Sequence, residues 1–118
     1  MKDILVVDDE EAIRLLYQVE LREAGYQVRT AADGAEALRM VGEARPDLMT
    51  IDLRMPGMDG VELLRRVREN HRDLPIIICT AYGDSRRDFG TRAADAYITK
   101  SAKLTELKAR IRELLGAA

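Results

Sequence analysis

Two patterns of apolar residues alternate along the chain. One is a short run of β-branched and aliphatic residues, typical of strands that are buried on both faces. This run is clearest at residues 4–7, and residues 26–31, 48–51, 76–79 and 96–98 are also predicted to be strands. The other is a three- to four-residue spacing, typical of an amphipathic helix. It is clearest at Ile13, Leu16, Tyr17 and Leu21 and recurs between the later runs.

Polar residues and glycines mark the predicted helix ends. Gly25 follows the first helical pattern and is expected to end it. Asp33 with Glu36, and Asp59 with Glu62, have the spacing of a capping box, so each aspartate is predicted to begin a helix. We interpret Asp59 as a structural cap and not as a ligand. The arginine-rich stretch at residues 65–68 is predicted to be the exposed face of its helix.

The order of the elements is strand then helix, five times over. Strands separated by single helices imply right-handed crossovers and a parallel sheet with helices on both faces. We therefore predict an α/β fold: a doubly wound, five-stranded parallel sheet of the (βα)5 type. The 118 residues are expected to form one domain, spanning positions 1–118.

Charge and composition exclude several kinds of function. The chain has 19 Lys and Arg residues against 21 Asp and Glu residues, which is too balanced for a surface that coats nucleic acid. One cysteine and one histidine exclude an internal disulfide, a cysteine-based zinc site and a multi-histidine metal site. The apolar runs are too short to span a bilayer, and the start of the chain has no signal-peptide pattern. We expect a soluble, cytoplasmic domain.

Polar side chains stand at the carboxyl ends of the predicted strands. Asp8 and Asp9 follow the first strand, Asp52 the third, Thr80 the fourth and Lys100 the fifth. In a sheet ordered 2-1-3-4-5 the first and third strands are neighbours, so three carboxylates would converge where ligands bind in such folds. Mutually repelling carboxylates favour a bound cation, and an all-oxygen ligand set favours Mg²⁺.

Five motifs carry a resemblance to a known family. They are Val6-Val7-Asp8-Asp9-Glu10, Asp47-Leu48-Met49-Thr50-Ile51-Asp52, Met55-Pro56-Gly57-Met58-Asp59-Gly60, Thr80-Ala81-Tyr82-Gly83 and Tyr97-Ile98-Thr99-Lys100. Over nearly its whole length the chain resembles the receiver domain of two-component response regulators. The first three motifs are most similar to single-domain sporulation-phosphorelay regulators and to the receivers of nitrogen-regulation activators. The resemblance implies a flavodoxin-like fold.

The resemblance also assigns roles to the acidic residues. It implies that Asp52 accepts a phosphoryl group from a phosphohistidine on a histidine kinase or a histidine phosphotransfer protein. Asp9 and Asp52 would bind Mg²⁺ directly, Asp8 would act through water, and the backbone carbonyl of Arg54 would be a further ligand.

Three other residues would respond to phosphorylation. Lys100 would pair with the phosphoryl oxygens, Thr80 would hydrogen-bond to one of them, and Tyr97 would turn inward with Thr80. The domain would be a signalling switch with only self-phosphorylation and autodephosphorylation activity, not an enzyme with a separate substrate. A downstream protein target is expected, with no binding of nucleic acid or membrane.

Two features depart from the family pattern. Ser101 follows Lys100, where the family usually has proline after a cis bond. The segment between Thr80 and Lys100 is also short, and its residues 84–92 offer one large apolar side chain, Phe89, beside Gly90. We therefore predict a short or irregular fourth helix there.

Four other interpretations of the same residues stay open. Asp9 alone would suit the cap of the first helix. A flavodoxin-like cofactor module would need a phosphate-binding loop after the first strand, where the acids at residues 8–11 would repel phosphate. An aspartyl acid phosphatase would need two acids separated by one residue, whereas Asp8 and Asp9 are adjacent. A degenerate receiver would bind partners without being phosphorylated.

Overall fold

The computed structural model describes residues 1–80, 93–100 and 104–116. Its elements are β1 (Asp3–Val7), α1 (Glu11–Glu23), β2 (Gln27–Ala31), α2 (Gly34–Glu43), β3 (Leu48–Asp52), α3 (Gly60–Asn70), β4 (Ile76–Thr80), β5 (Ala96–Thr99) and α4 (Leu104–Leu115). The predicted short fourth helix at residues 84–92 and the peptide bond from Lys100 to Ser101 lie outside the described residues. No helix in the described ranges combines the length and the apolar character needed to span a membrane.

The five strands form one parallel sheet in the order β2-β1-β3-β4-β5, which confirms the predicted topology. Val7 of β1 lies beside Ile51 of β3, so the residues that follow these two strands are neighbours. On the other side of β3, Asp52 pairs with Cys79 of β4. All strands therefore end at the same edge, and this edge carries the polar residues singled out from the sequence.

Helices cover both faces of the sheet, as expected for a doubly wound fold. Tyr17 and Leu21 of α1 pack with Leu107 and Ile111 of α4 against one face. Residues of α2 and α3 pack against the other face, including Ala37, Val41, Leu63, Leu64 and Val67. The three central strands, β1, β3 and β4, are buried from both sides, which explains their nearly continuous apolar sequences. The edge strands β2 and β5 are only partly buried.

Helix α1 also carries apolar residues that face solvent. Leu15, Leu16 and Val19 are each 44–53% exposed. Leu16 belongs to the helical pattern seen in the sequence, but the residues of that pattern that pack on the core are Ile13, Tyr17 and Leu21. The exposed residues lie one to four positions apart, so they form a second apolar face on the same helix.

The predicted caps of α2 and α3 are confirmed. The carboxylate of Asp33 accepts a hydrogen bond from the backbone N–H of Glu36 at 2.8 Å, and Glu36 reaches back to the N–H of Ala32 at 2.7 Å. The carboxylate of Asp59 accepts from the N–H of Glu62 at 2.9 Å. The interpretation of Asp59 as a cap is therefore correct.

Arg68 connects the end of α3 to the beginnings of β4 and β5. Its guanidinium donates to the carboxylate of Asp95 and to the carbonyl of Ala93, each at 2.9 Å. The same Asp95 carboxylate accepts from the backbone N–H of Ile76 at 2.8 Å. The side chain of Arg68 is only 16% exposed, so the prediction of a solvated arginine face is wrong at this residue.

Candidate functional site at the carboxyl edge of the sheet

Two buried carboxylates and one ammonium form the centre of the site. Asp8 and Asp52 are almost completely buried at the ends of neighbouring strands. The Nζ atom of Lys100 lies 3.0 Å from Oδ2 of Asp8 and 3.1 Å from Oδ2 of Asp52. The structure thus brings together three of the residues that the sequence analysis selected.

The electrostatics of this centre are unbalanced towards negative charge. Burial, followed by the charge of Asp8, raises the pKa of Asp52 to about 6, although hydrogen bonds from Lys100 and from the Arg54 backbone oppose the rise. Burial works against the charged form of Lys100, but its hydrogen bonds to Asp8 and Asp52 outweigh burial and raise its pKa above the usual range. One ammonium faces two buried acids, so a further positive charge would be favourable here.

A second acidic group adjoins the buried pair. One carboxylate oxygen from each of Asp8, Asp9 and Glu10 lies within 4.8 Å of the other two. Asp9 and Glu10 are exposed, so this group opens to solvent. Among the described residues, the close group does not include Asp52, which is linked to it through Asp8 and Lys100. A set of carboxylate oxygens of this kind suits a hard divalent cation.

The residue at the cap position of α1 is Glu10, so Asp9 is not the helix cap. The backbone N–H of Glu10 donates instead to Oδ1 of Asp8 at 2.9 Å. The carboxylate of Glu10 lies 3.3 Å from Nζ of Lys100. Glu10 has no predicted role in the sequence motifs described above. The signal that was available is a glutamate at a position where Ser, Thr, Asp or Asn is preferred.

Thr80, Arg54 and Tyr97 surround the centre. Thr80 is buried at the end of β4, and its carbonyl accepts from the backbone N–H of Lys100 at 2.7 Å. The backbone N–H of Arg54 donates to Oδ1 of Asp52 at 3.3 Å, while the Arg54 side chain is exposed. Tyr97 is half-buried against the core cluster on the α2 and α3 face.

The start of α3 packs directly on the backbone of Asp52. A Cβ atom at Gly60 would collide with the carbonyl oxygen of Asp52 and would lie 2.7 Å from the Cα atom of Leu53. The N–H of Gly60 donates to the carbonyl of Leu53 at 2.9 Å. The loop between β3 and α3 turns at Gly57, whose φ of +75° favours glycine. The motif glycines therefore bring the helix against the end of β3.

Cys79 and Tyr17 lie beneath the site on the α1 face. Cys79 is buried and pairs with Asp52 across the two strands, and Tyr17 lies in the same core cluster. Burial raises the pKa of the Cys79 thiol to about 12, and burial also raises the pKa of Tyr17 above its usual range. The thiol is therefore a protonated, packed group and not a nucleophile at neutral pH.

A cavity of about 780 Å³ lies at the opposite edge of the sheet, near Lys2, Tyr26 and Arg112. None of the residues that line it is one of the acids of the site. The residues that the sequence predicts to be functional therefore lie at the acidic edge and not in this cavity.

Known proteins are similar to this chain in both sequence and fold. The family model of the response regulator receiver domain matches residues 4–112. The response regulator MprA of Mycobacterium leprae is 46% identical over 114 residues, which cover 95% of this chain and 50% of MprA. The chain thus spans about half the length of the curated relatives it matches.

Solved structures of response regulators are also similar to this chain. The response regulator TrrA of Thermotoga maritima, in complex with Mg²⁺-BeF, superposes with a TM-score of 0.93 at 44% identity, covering 98% of this chain and 100% of that one. TrrA in complex with the histidine kinase ThkA gives a TM-score of 0.92 at 44% identity, with the same coverage. Chemotaxis protein CheY4 of Vibrio cholerae gives 0.90 at 32% identity, covering 98% and 99%. These similarities confirm the predicted fold and the predicted family resemblance.

Proposed function

Because this chain belongs to the response regulator receiver domain family, we propose that Asp52 accepts a phosphoryl group from a phosphohistidine on a histidine kinase or a histidine phosphotransfer protein. The observation that carries this proposal is the buried carboxylate of Asp52 beside Asp8 and the ammonium of Lys100. Its position at the end of β3 puts this carboxylate at the edge of the sheet where ligands bind in such folds.

The transfer forms a bond from an Asp52 oxygen to phosphorus and breaks the bond from phosphorus to the imidazole nitrogen. Phosphoryl transfer depends mainly on alignment and on neutralising the charge of the transferred group. The hydrogen bond from the Arg54 backbone orients one oxygen of Asp52. Lys100 lies beside the other oxygen and would pair with the phosphoryl group. Thr80 would donate a hydrogen bond to the same group.

We assign Mg²⁺ to the acidic edge. Asp8, Asp9, Asp52 and the carbonyl of Arg54 would hold the ion, and the convergence of carboxylate oxygens around Asp8 supports that assignment. When bound, Mg²⁺ supplies positive charge to the carboxylates and to the phosphoryl oxygens. The Mg²⁺-BeF complex of the similar protein TrrA supports the same assignment.

Partner recognition would use the surface around the acceptor. The exposed residues Leu15, Leu16 and Val19 of α1 offer an apolar face to a protein partner, and TrrA forms a complex with a histidine kinase. Phosphorylation would then be reported by Thr80 and Tyr97 to a downstream protein target. In this scheme the domain acts in the cytoplasm, without binding nucleic acid or membrane.

Incubation with acetyl phosphate and Mg²⁺ tests the proposal. We expect a single phosphoryl group on Asp52, stable in acid and labile in base, and absent from Asp52→Ala. Asp73→Ala, an exposed loop variant with the same change, is the matched control and should be labelled normally. Full labelling of Asp52→Ala would place the acceptor elsewhere. An unlabelled wild-type chain would favour the alternative, a degenerate receiver that only binds partners.

A further inference from the structure

Glu10 departs from the local preferences of a helix start. It occupies the cap position of α1, where a short side chain would normally accept a hydrogen bond from the first turn. The Glu10 side chain makes no capping hydrogen bond among the described residues. It extends instead to Lys100, ninety positions along the chain, with Oε1 at 3.3 Å from Nζ. A residue that breaks a local rule while contacting a functional group indicates a role in the site.

The position of Glu10 relative to Lys100 defines that role. An ammonium has three N–H donors, and three carboxylates lie around this one: Asp8 at 3.0 Å, Asp52 at 3.1 Å and Glu10 at 3.3 Å. Asp8 and Asp52 are buried, whereas Glu10 is exposed and has the longest contact. A phosphoryl oxygen that arrives from solvent therefore competes first with Glu10 for the ammonium.

The negative charge of Glu10 also works against the binding of an arriving phosphoryl group. Its carboxylate stands beside those of Asp8 and Asp9 at the solvent side of the site, so an arriving anion meets it before it meets the buried acids. Repulsion by an exposed charge grows with the charge of the arriving group and is weakened by salt. Competition for Lys100 and repulsion of the donor both slow the entry of a highly charged phosphoryl donor.

We propose that Glu10 determines phosphodonor specificity: its contact with Lys100 at the mouth of the site disfavours dianionic small-molecule donors relative to monoanionic ones. This inference rests on the proposed function of Asp52. Glu10 is a specificity-determining residue that acts on the donor and on Lys100. It is not the phosphoryl acceptor.

The test measures phosphorylation rates of Glu10→Gln with two donors, acetyl phosphate as the dianion and phosphoramidate as the monoanion, in saturating Mg²⁺. Glu10→Gln removes a unit charge that lies about 6 Å from the dianion in a medium close to water, so acetyl phosphate should react roughly three- to tenfold faster with this variant. We expect a smaller gain with phosphoramidate, and a smaller gain with either donor in high salt. Glu11→Gln removes the same charge one residue further along and is the matched control, with a change below about twofold expected.

Glu10→Asp separates charge from contact, because it keeps the carboxylate but shortens its reach to Lys100. A rate with acetyl phosphate close to that of the unsubstituted chain would show that the charge is decisive, and an intermediate rate would add a contribution from the contact. Equal rates for Glu10→Gln and Glu11→Gln, or equal gains with both donors, would overturn the inference while Asp52 is still phosphorylated. Failure of the unsubstituted chain to be phosphorylated would overturn the proposed function, and this inference with it.

Discussion

Replacement of Gly60 by alanine tests the close packing of α3 on the acceptor strand. The added Cβ would collide with the carbonyl of Asp52 and would lie 2.7 Å from the Cα of Leu53, whereas carbon atoms pack at about 3.5–4.0 Å. Both obstacles are backbone, so the start of α3 must move away by roughly 1 Å. The N–H of Gly60 would also be drawn away from the carbonyl of Leu53, its present partner.

The cost can be set against the gain in helix propensity. Overpacking of this kind typically costs about 1–3 kcal/mol, and Gly→Ala within a helix returns at most about 1 kcal/mol. We expect Gly60→Ala to be destabilised by about 1–2 kcal/mol. With an unfolding entropy of about 2.1 cal/mol/K per residue over 118 residues, each kcal/mol corresponds to about 4 °C. The predicted fall in Tm is therefore about 4–8 °C.

Two measurements check this prediction. Thermal unfolding followed by circular dichroism gives the Tm, and labelling by acetyl phosphate reports whether Asp52 has been displaced. Gly42→Ala is the matched control, since Gly42 lies within α2 with nothing within 4 Å of the added Cβ. It should gain roughly 0.5–1 kcal/mol. A Tm for Gly60→Ala at or above that of the unsubstituted chain would refute the close contact between α3 and β3.

Three further predictions concern the charged centre. Mg²⁺ at ten times its dissociation constant should stabilise the fold by about 1.4 kcal/mol, and an unchanged Tm at tens of millimolar, by order of magnitude, would count against the cation site. Since the pKa of Asp52 is raised from 3.8 to about 6 by folding, the metal-free folded state binds more protons than the unfolded state, so stability should fall as pH rises from about 4 to 6. Thermal unfolding in EDTA at several pH values across that range measures how steeply stability depends on pH. Asp8→Asn should make this dependence weaker, because it removes the neighbouring charge. Stability that does not change with pH in the unsubstituted chain would contradict the burial of Asp52. Arg54→Ala should shorten the lifetime of the phosphoryl group severalfold, because an exposed side chain two residues past the acceptor can overhang the phosphoryl group and keep water from it. An unchanged hydrolysis rate would exclude that role.

The strands and their end residues were predictable because the signals are local. A parallel sheet covered on both faces requires runs such as residues 76–79, with little polar alternation. The carboxyl ends of such strands share one edge, so the sequence alone predicts that Asp8 and Asp52 lie close together. The capping aspartates Asp33 and Asp59 follow the same logic, since each acts on a backbone N–H only three residues away.

Contacts between distant side chains were not predictable in this way. Glu10 and Lys100 meet only because β1 and the end of β5 reach the same edge and both side chains turn towards it. Arg68 is one of several arginines on α3, and the sequence does not distinguish it from its exposed neighbours. It is half-buried because its guanidinium contacts carbonyls and a carboxylate of other segments. Apolar residues on two sides of α1 likewise leave the buried face undetermined until the sheet is placed.

The position of Cys79 makes its thiol a native probe of local unfolding around β4. It is the only cysteine in the chain, it lies on β4 beside the acceptor strand, and its thiol is buried and protonated. A thiol reagent can therefore react only when local unfolding exposes β4, and the rate of the reaction measures how often this unfolding occurs. No residue has to be replaced, so the effect of Mg²⁺ or of phosphorylation on the local unfolding of β4 can be measured in the unsubstituted chain.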